Sequence, residues 1–390
     1  MTPLVELARL FAKLGTIAFG GPAAHIGLMR DEVVRRRQWL SDQQFLDLLG
    51  ATHLIPGPNS TELAIHIGYA RAGMRGLLVC GLCFIVPATA IVLAFAWGYV
   101  RFGALPEVQG LLYGVKPVII AIVIQALVGL GRVAVRSGLL ALLASASAIA
   151  VVGGVNELVV LAAAAAAGAL STVVSRARRI PAIVLGAVAG TACAASIYAR
   201  VLAGAAIAAA SASISLGTLF GVFLKAGAVL FGSGYVLLAF LEADLVGRLG
   251  WLTQDELLNA IAVGQITPGP VFTTATFIGY VLAGWRGAAI ATAGIFLPAF
   301  VYVAVTAPIV PRLRRSRLAA RMLDGVNAAS LALMLVVTVQ LTRTALVDPL
   351  TVALAAASAG LLLTTRVNSA WLVLGGAAIG IAAGYLRASP

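Results

Sequence analysis

The sequence predicts an all-α integral membrane protein built from two related halves. Three observations carry that reading. Hydrophobic residues make up 61% of the chain and charged residues 11%, the chain repeats itself at a nearly constant offset, and each copy holds a Pro-Gly-Pro break inside an apolar region. A soluble domain carries roughly 25% charged residues, so this composition suits a bilayer. Apolar stretches such as 77–100, 118–131, 139–152 and 288–310 recur along the chain, and a helix needs about 20 apolar residues to cross the hydrocarbon. Small-residue tracts at 161–170 and 203–212 suit close helix packing in lipid. The first apolar stretch contains Glu6, Arg9 and Lys13, which is not the order of a cleavable leader.

An offset of 212 places Phe11, Lys13, Gly15, Phe19 and Gly20 on Phe223, Lys225, Gly227, Phe231 and Gly232. The same offset places Trp39-Leu40 on Trp251-Leu252 and Pro56-Gly57-Pro58 on Pro268-Gly269-Pro270. One residue is then lost, and an offset of 211 carries Gly68-Tyr69 to Gly279-Tyr280, Pro87 to Pro298 and Arg132 to Arg343. The expected organisation is one copy at 1–176, a second at 213–390, and a linker at 177–212 holding two short spans. Internal repeats of this kind are common in transporters.

Arginine placement predicts that the second copy is inverted. Arg30, Arg35, Arg36 and Arg37 follow the first helix, whereas the matching loop of the second copy holds Glu242, Asp244 and Arg248. After the helix with Pro87 come only Arg101 and Glu107, while the equivalent loop holds Arg312, Arg314, Arg315, Arg317 and Arg321. Basic loops collect on the cytoplasmic face, so the swap is the mark of inverted-topology repeats. Residues 43–54 and 59–71 reach roughly 18 Å each as helix, about the membrane middle. Each pair is expected to form a re-entrant hairpin tipped by Pro-Gly-Pro, in preference to a broken helix crossing once. Each half then has about five spans plus a hairpin, giving about 12 full spans with the linker. The stretch 199–212 is short for a crossing.

Proline removes a backbone donor and clashes with the preceding turn, so Pro56-Gly57-Pro58 and Pro268-Gly269-Pro270 interrupt any helix. Such backbone at membrane depth is tolerated when buried or lining a cavity, and paired breaks point to a transporter's binding site. The alternative is a pair of kinks that only shape packing. Asn59-Ser60-Thr61-Glu62 reads as a helix start with Asn59 as cap and Glu62 three residues on, leaving N–H groups and a positive dipole end for an anion. The second copy offers Thr273 and Thr274 without a carboxylate. Glu62, one turn from His66, either exchanges a coupling proton or caps the helix. Lys13 and Lys225 are intramembrane repeat mates. Such cations are rare without a function, and two ammonium groups about a pseudo-twofold axis would suit a dianion; for Lys13 the alternative is snorkelling. Lys116 is a third such cation, and Asp324 is either its counter-ion or a solvated end residue. Gly20 and Gly21 end the first helix in flexible backbone that permits close approach. His25 and His53 read more readily as packing residues than as functional ones.

No nucleotide-binding loop, metal cluster or nucleophile constellation stands in the sequence, so no enzyme activity, cofactor or metal is expected. Cys80 and Cys83 form a CxxC inside an apolar helix without a second pair, which reads as packing. The net charge of +13 follows from the basic loops, and no folded basic domain for nucleic acid is visible. The partners expected are an oxyanion and the bilayer, and a homodimer stays open. A non-transporting scaffold is the bland alternative.

Taken together, Phe19-Gly20-Gly21-Pro22, Trp39-Leu40, Pro56-Gly57-Pro58-Asn59-Ser60-Thr61-Glu62 and Pro268-Gly269-Pro270 resemble the chromate ion transporter family in its two-domain, long-chain form, over almost the whole chain. The second copy has Gly-Ser-Gly where the first has Gly-Gly-Pro, a divergence between the halves. The resemblance implies export of chromate across the bacterial inner membrane and chromate resistance. Chromate is a tetrahedral dianion shaped like sulfate, so a sulfate or other oxyanion permease is the rival reading.

Overall fold

The computed structural model describes residues 3–19, 21–173, 214–231, 234–308, 317–365 and 367–388; the expected linker spans at 177–212 lie outside them. All regular structure among the described residues is helical. In the first half, α1 is Pro3–Ile17 and α2 is Gly21–Arg30, which runs into a π turn at Asp31–Arg36. There follow α3 (Asp42–Thr52), α4 (Asn59–Phe102), α5 (Pro106–Ala134), α6 (Gly138–Val152) and α7 (Glu157–Val173). The second half repeats this order. It begins with α8 (Leu216–Val229), a 3-10 turn at Gly234–Val236, α9 (Leu237–Leu241) and a π turn at Glu242–Arg248. It continues with α10 (Gln254–Ile266), a 3-10 turn at Val271–Thr273, α11 (Thr274–Thr306), α12 (Arg317–Ala345), α13 (Pro349–Thr364) and α14 (Ser369–Ala388).

Local sequence explains the matching starts. Ser41 with Gln44 forms a capping box on α3, and their repeat mates Thr253 and Glu256 form the same box on α10. Each box satisfies N–H groups that a helix end leaves bare. Pro106 and Pro349 sit in the first turns of α5 and α13, where the missing N–H costs nothing.

Two reversals in each half shape the architecture. Gly264 and Thr274 are in contact, close enough that a Cβ on Gly264 would overlap the threonine hydroxyl. Ten residues of straight helix would hold them about 15 Å apart, so α10 and the start of α11 fold back over Pro268-Gly269-Pro270. In the first half, Phe45 of α3 shares a buried cluster with Leu63 and Ile67 of α4. The second reversal lies within α4 and α11. Ala72 and Gly73 have φ/ψ of −148°/26° and 58°/−146°, and Ala283 and Gly284 have −146°/26° and 60°/−149°. The second residue of each pair is in a region open essentially to glycine. Bare backbone then meets across the turn: a Cβ on Gly68 would overlap the Gly76 carbonyl, and one on Gly279 the Gly287 carbonyl. The hydroxyls of Thr276 and Thr292 also meet there, at 2.7 Å.

The halves exchange their final helices. In α5 the backbone of Gly114 packs against Gly376 and Gly380 of α14, and in α12 Gly325 packs against Ala164 of α7. Gly114 and Gly325 are repeat mates at the offset of 211, and Ala164 and Gly376 at 212, the offset that Val155-Asn156 and Val367-Asn368 restore. A reciprocal pattern of this kind is what a twofold relation between two similar bodies generates. Five helical stretches are long and apolar enough to cross a membrane among the described residues: Asn59–Phe102, Pro106–Ala134, Val271–Thr306, Ala320–Ala345 and Ser369–Leu386. Four shorter apolar helices accompany them.

Candidate functional site

The first helix of each half leads to the site. In α1, Gly15 lies directly on the Phe84 carbonyl, and in α8 Gly227 lies on the Ile295 carbonyl. No other residue would allow either approach, because a Cβ would overlap the carbonyl oxygen. The helices end in carbonyls that the opposite half uses. The N–H of Gly57 donates to the Leu230 carbonyl at 2.7 Å, and the N–H of Gly269 donates to the Ala18 carbonyl at 2.9 Å. Ala18 and Leu230 are repeat mates. Each Pro-Gly-Pro tip is therefore pinned to the first helix of the other half. Gly57 and Gly269 have φ of +139° and +93°, which the flanking prolines could not adopt.

Between the tips lies a cavity of about 70 Å³ lined by Pro22, Pro58, Asn59, Ser60, Gly234, Pro270, Val271 and Phe272. Adding 212 to the first four positions gives the last four. The cavity is therefore walled by equivalent positions of the two copies. A cavity of this size admits more than one water molecule.

The two walls differ chemically. Ser60 lines the cavity and is 4% exposed, and its hydroxyl has no hydrogen-bond partner among the described residues. Asn59 donates through Nδ2 to Nδ1 of His53 at 3.3 Å. The first turn of α4 leaves the N–H groups of residues 59–61 without intrahelical acceptors, and the ladder of the helix begins with that of Glu62, to the Pro58 carbonyl at 2.9 Å. Val271 and Phe272 make the facing wall apolar.

Several expectations need correction. Asn59 is not the helix cap, and the box with Glu62 does not form: extended Pro58 takes the cap position, so α4 starts one residue earlier. Glu62 is fully buried, its carboxyl lies against Gly57, and neither oxygen has a partner among the described residues. The hydroxyl of Thr61 and Nε2 of His66 are also buried and unpartnered. Thr273 and Thr274 do not offer hydroxyls to the cavity. A 3-10 turn precedes α11, and they donate instead to the carbonyls of Pro270 and Val271, at 2.8 Å each. His25 donates through Nε2 to the Ala18 carbonyl at 3.0 Å and meets Phe84 edge-on. Gly21 has φ +74° and lies beside the Tyr235 hydroxyl. Gly20 lies outside the described residues.

The lysines do not line the cavity. Lys13 pairs with Glu32 at 3.1 Å, and Lys225 pairs with Asp244 at 2.9 Å and with Glu157. Glu32 and Asp244 are themselves repeat mates, so both halves keep the same ion pair. It is open in the first half, where the Lys13 side chain is 52% exposed, and more enclosed in the second, where that of Lys225 is 22% exposed. A lysine and a carboxylate 19 positions on, in both copies, was a signal that the sequence already held. Lys116 pairs with Asp255. Asp324 is within 3.9 Å of Arg321 at an exposed position, and so is not placed as its counter-ion. Pro22 and Gly234, not singled out as ligands from the sequence, complete the cavity.

The model of a family described as Chromate transporter matches residues 5–169 and again 217–381. The chain belongs to the chromate transporter family. It is 34% identical to the chromate transport protein of Cupriavidus metallidurans over 380 residues, covering 96% of this chain and 92% of that one. It is 32% identical to the chromate transport protein of Pseudomonas aeruginosa, covering 91% and 86% of the two chains. A probable chromate transport protein of Synechococcus elongatus is 30% identical, with 84% and 81% covered. No solved structure matches. Membership and the long apolar helices together make this chain a multi-pass membrane protein.

Proposed function

We propose that this chromate transporter family member is a secondary transporter that carries chromate outward across the bacterial inner membrane and so confers chromate resistance. The observation that carries the reading is the cavity walled by four pairs of repeat mates at the two Pro-Gly-Pro tips. A pseudo-symmetric site at broken backbone is where a rocking pair of repeats can expose one ion to either face in turn. The anion meets the N-terminal end of α4 and the Ser60 hydroxyl.

The two tips are re-entrant hairpins and the halves are inverted repeats, comprising 1–176 and 213–390 with two short spans between. The reversals over the tips and the exchanged final helices support this layout. So does the contact of Gly81 in α4 with Phe300 in α11, whose repeat mate is Thr89: under a twofold relation, contact between positions 81 and 89 runs the two helices antiparallel. Glu62 carries the coupling proton. An ionised carboxylate without partners in a buried site is costly, so this side chain is suited to hold a proton and to release it when the tip moves.

The test is chromate flux in proteoliposomes with and without an imposed proton gradient. Uptake that accumulates with the gradient and stops in Glu62→Gln is expected. A flux indifferent to the gradient sinks the coupling, and the lack of any chromate flux sinks the whole reading. The rival oxyanion permease is favoured by the neutral, hydrogen-bonding wall, which any tetrahedral oxyanion would meet; competition by sulfate separates the two.

A further inference from the structure

We propose that the reversal at Ala72 and Gly73 in α4 binds an anionic phospholipid, with Arg71 and Arg75 on its phosphate and its acyl chains along the second limb of the helix. None of these residues lines the cavity between the tips, so the lipid site stands apart from the ion that the protein carries.

The phosphate end is built on an aromatic ring. Trp39 lies between the first π turn and α3, and Arg71 closes the first limb of α4. The Arg71 guanidinium lies 5.2 Å from the centre of the Trp39 ring, and that of Arg37 lies 5.1 Å from it. An indole face attracts a guanidinium at this range, so Arg71 is held in place before any ligand arrives. Arg37 also donates to Glu32 at 3.3 Å. Arg71 has no carboxylate of its own, and neither has Arg75 at the start of the second limb; among the described residues neither makes an ion pair. Two free guanidinium groups, one of them fixed, suit a phosphate, whose oxygens match their planar fork of donors.

The helix beyond the reversal makes the ligand a lipid. Met74, Leu78, Leu82 and Val86 are each at least half exposed, and a spacing of four keeps them on one face of α4. As helix, the stripe from Met74 to Val86 rises about 18 Å, against about 15 Å for half of the hydrocarbon core. It starts beside Arg75 and runs away from it, so a single molecule can meet both the cations and the apolar surface. A free phosphate has no use for the stripe. Arg35, Arg36 and Arg37 crowd the loop that ends at Trp39, and such basic clusters collect on the cytoplasmic face, whose leaflet is the anionic one. The second half supplies an internal contrast. Trp251 and Arg286 repeat Trp39 and Arg75, but Leu249 and Leu282 replace Arg37 and Arg71, and Ala289 and Ala293 replace Leu78 and Leu82. Only the first half has both the paired arginines and the long apolar stripe.

The experiment measures binding of radiolabelled phosphatidylglycerol to the purified full chain in detergent, with phosphatidylcholine, glycerol phosphate and chromate as competitors. Phosphatidylglycerol should bind at least about tenfold more tightly than phosphatidylcholine, since each arginine near an anionic headgroup contributes about fivefold, and salt should weaken the preference. Arg71→Gln combined with Arg75→Gln should bring the two lipids within about twofold of each other, while Arg286→Gln should leave the preference intact. Arg75 makes no polar or ring contact among the described residues, so Arg75→Gln alone should fold as the parent does and lose about fivefold; this holds the test open if Arg71→Gln disturbs the packing on Trp39. Equal binding of the two lipids by the parent overturns the proposal, as does a preference that survives the double variant. Glycerol phosphate competing as well as the lipid would give the arginines to a free phosphate ester, and displacement of the lipid by chromate would give them to the path of the transported ion; either result rejects the lipid site.

Discussion

Replacing Lys225 by methionine should destabilise the protein far more than the same change at its repeat mate Lys13. Lys225 lies between Asp244 and Glu157, whose side chains are 3% and 9% exposed. Its removal leaves Asp244 with Arg248, which holds it at 2.9 Å, and leaves Glu157 without a cation. Breaking a buried pair by removing one partner costs 3–5 kcal/mol; since Arg248 compensates one carboxylate, about 3 kcal/mol is expected here. The Lys13 side chain is half exposed and Glu32 keeps Arg36 and Arg37, so Lys13→Met should cost under about 1 kcal/mol. The assay is reversible unfolding of each variant in mixed micelles titrated with SDS. Adding Glu157→Gln to Lys225→Met removes the stranded charge and should restore most of the loss, with a coupling on the order of 1–3 kcal/mol. Equal costs at the two lysines, or no recovery in the double variant, would refute the reasoning. Chromate affinity of the double variant should stay within about threefold of the parent; a tenfold loss (~1.4 kcal/mol) would return the lysine to the binding site.

Three further outcomes follow from the geometry. Gly57→Ala places a Cβ onto the Glu62 carboxyl at φ +139°, a strain of about 1–3 kcal/mol; chromate flux should fall at least about tenfold while the chain still folds by circular dichroism, and full flux would disprove the close packing of tip and carboxyl. Arg36 and Arg248 are exposed repeat mates, so in inverted halves single cysteines at the two positions should react with an impermeant maleimide from opposite faces; labelling from one face refutes inversion. Burial alone would raise the Glu32 carboxyl, but hydrogen bonds and charges from Lys13 and Arg37 outweigh it and hold it below the usual glutamate range. With a lowered folded value, its stabilisation is complete above the ordinary pKa of about 4.3 and is lost as pH falls through the folded one. The gap in unfolding midpoint between the parent and Glu32→Gln should thus be full at pH 6 and should close in stronger acid; a constant gap contradicts this.

The legible part of the protein was whatever repeats in composition and spacing. Prolines, glycines and capping residues act on their own few neighbours, so the breaks at Pro56-Gly57-Pro58 and Pro268-Gly269-Pro270 were readable, as were the duplicated starts of α3 and α10. Four residues of the cavity wall, Pro58, Asn59, Ser60 and Pro270, were named from these breaks. Side-chain roles were less legible. Asn59 looked like a cap because its type and its distance from Glu62 fit one, yet the extended backbone of Pro58 occupies that position. Thr273 and Thr274 looked like ligands, but a single 3-10 turn sends their hydroxyls back to the chain.

By itself the sequence determined that this is a duplicated, helical membrane chain broken twice at equivalent points, because apolar length, glycine and proline act locally. Only the tertiary structure decided that each tip hangs on the first helix of the other half, through Gly57 to Leu230 and Gly269 to Ala18. It also decided that the lysines face carboxylates and leave the cavity to backbone dipoles. The tip contacts depend on groups far apart in the chain meeting, whereas each lysine reaches a carboxylate 19 positions on, as a charged side chain in lipid goes to whichever opposite charge the fold brings within reach.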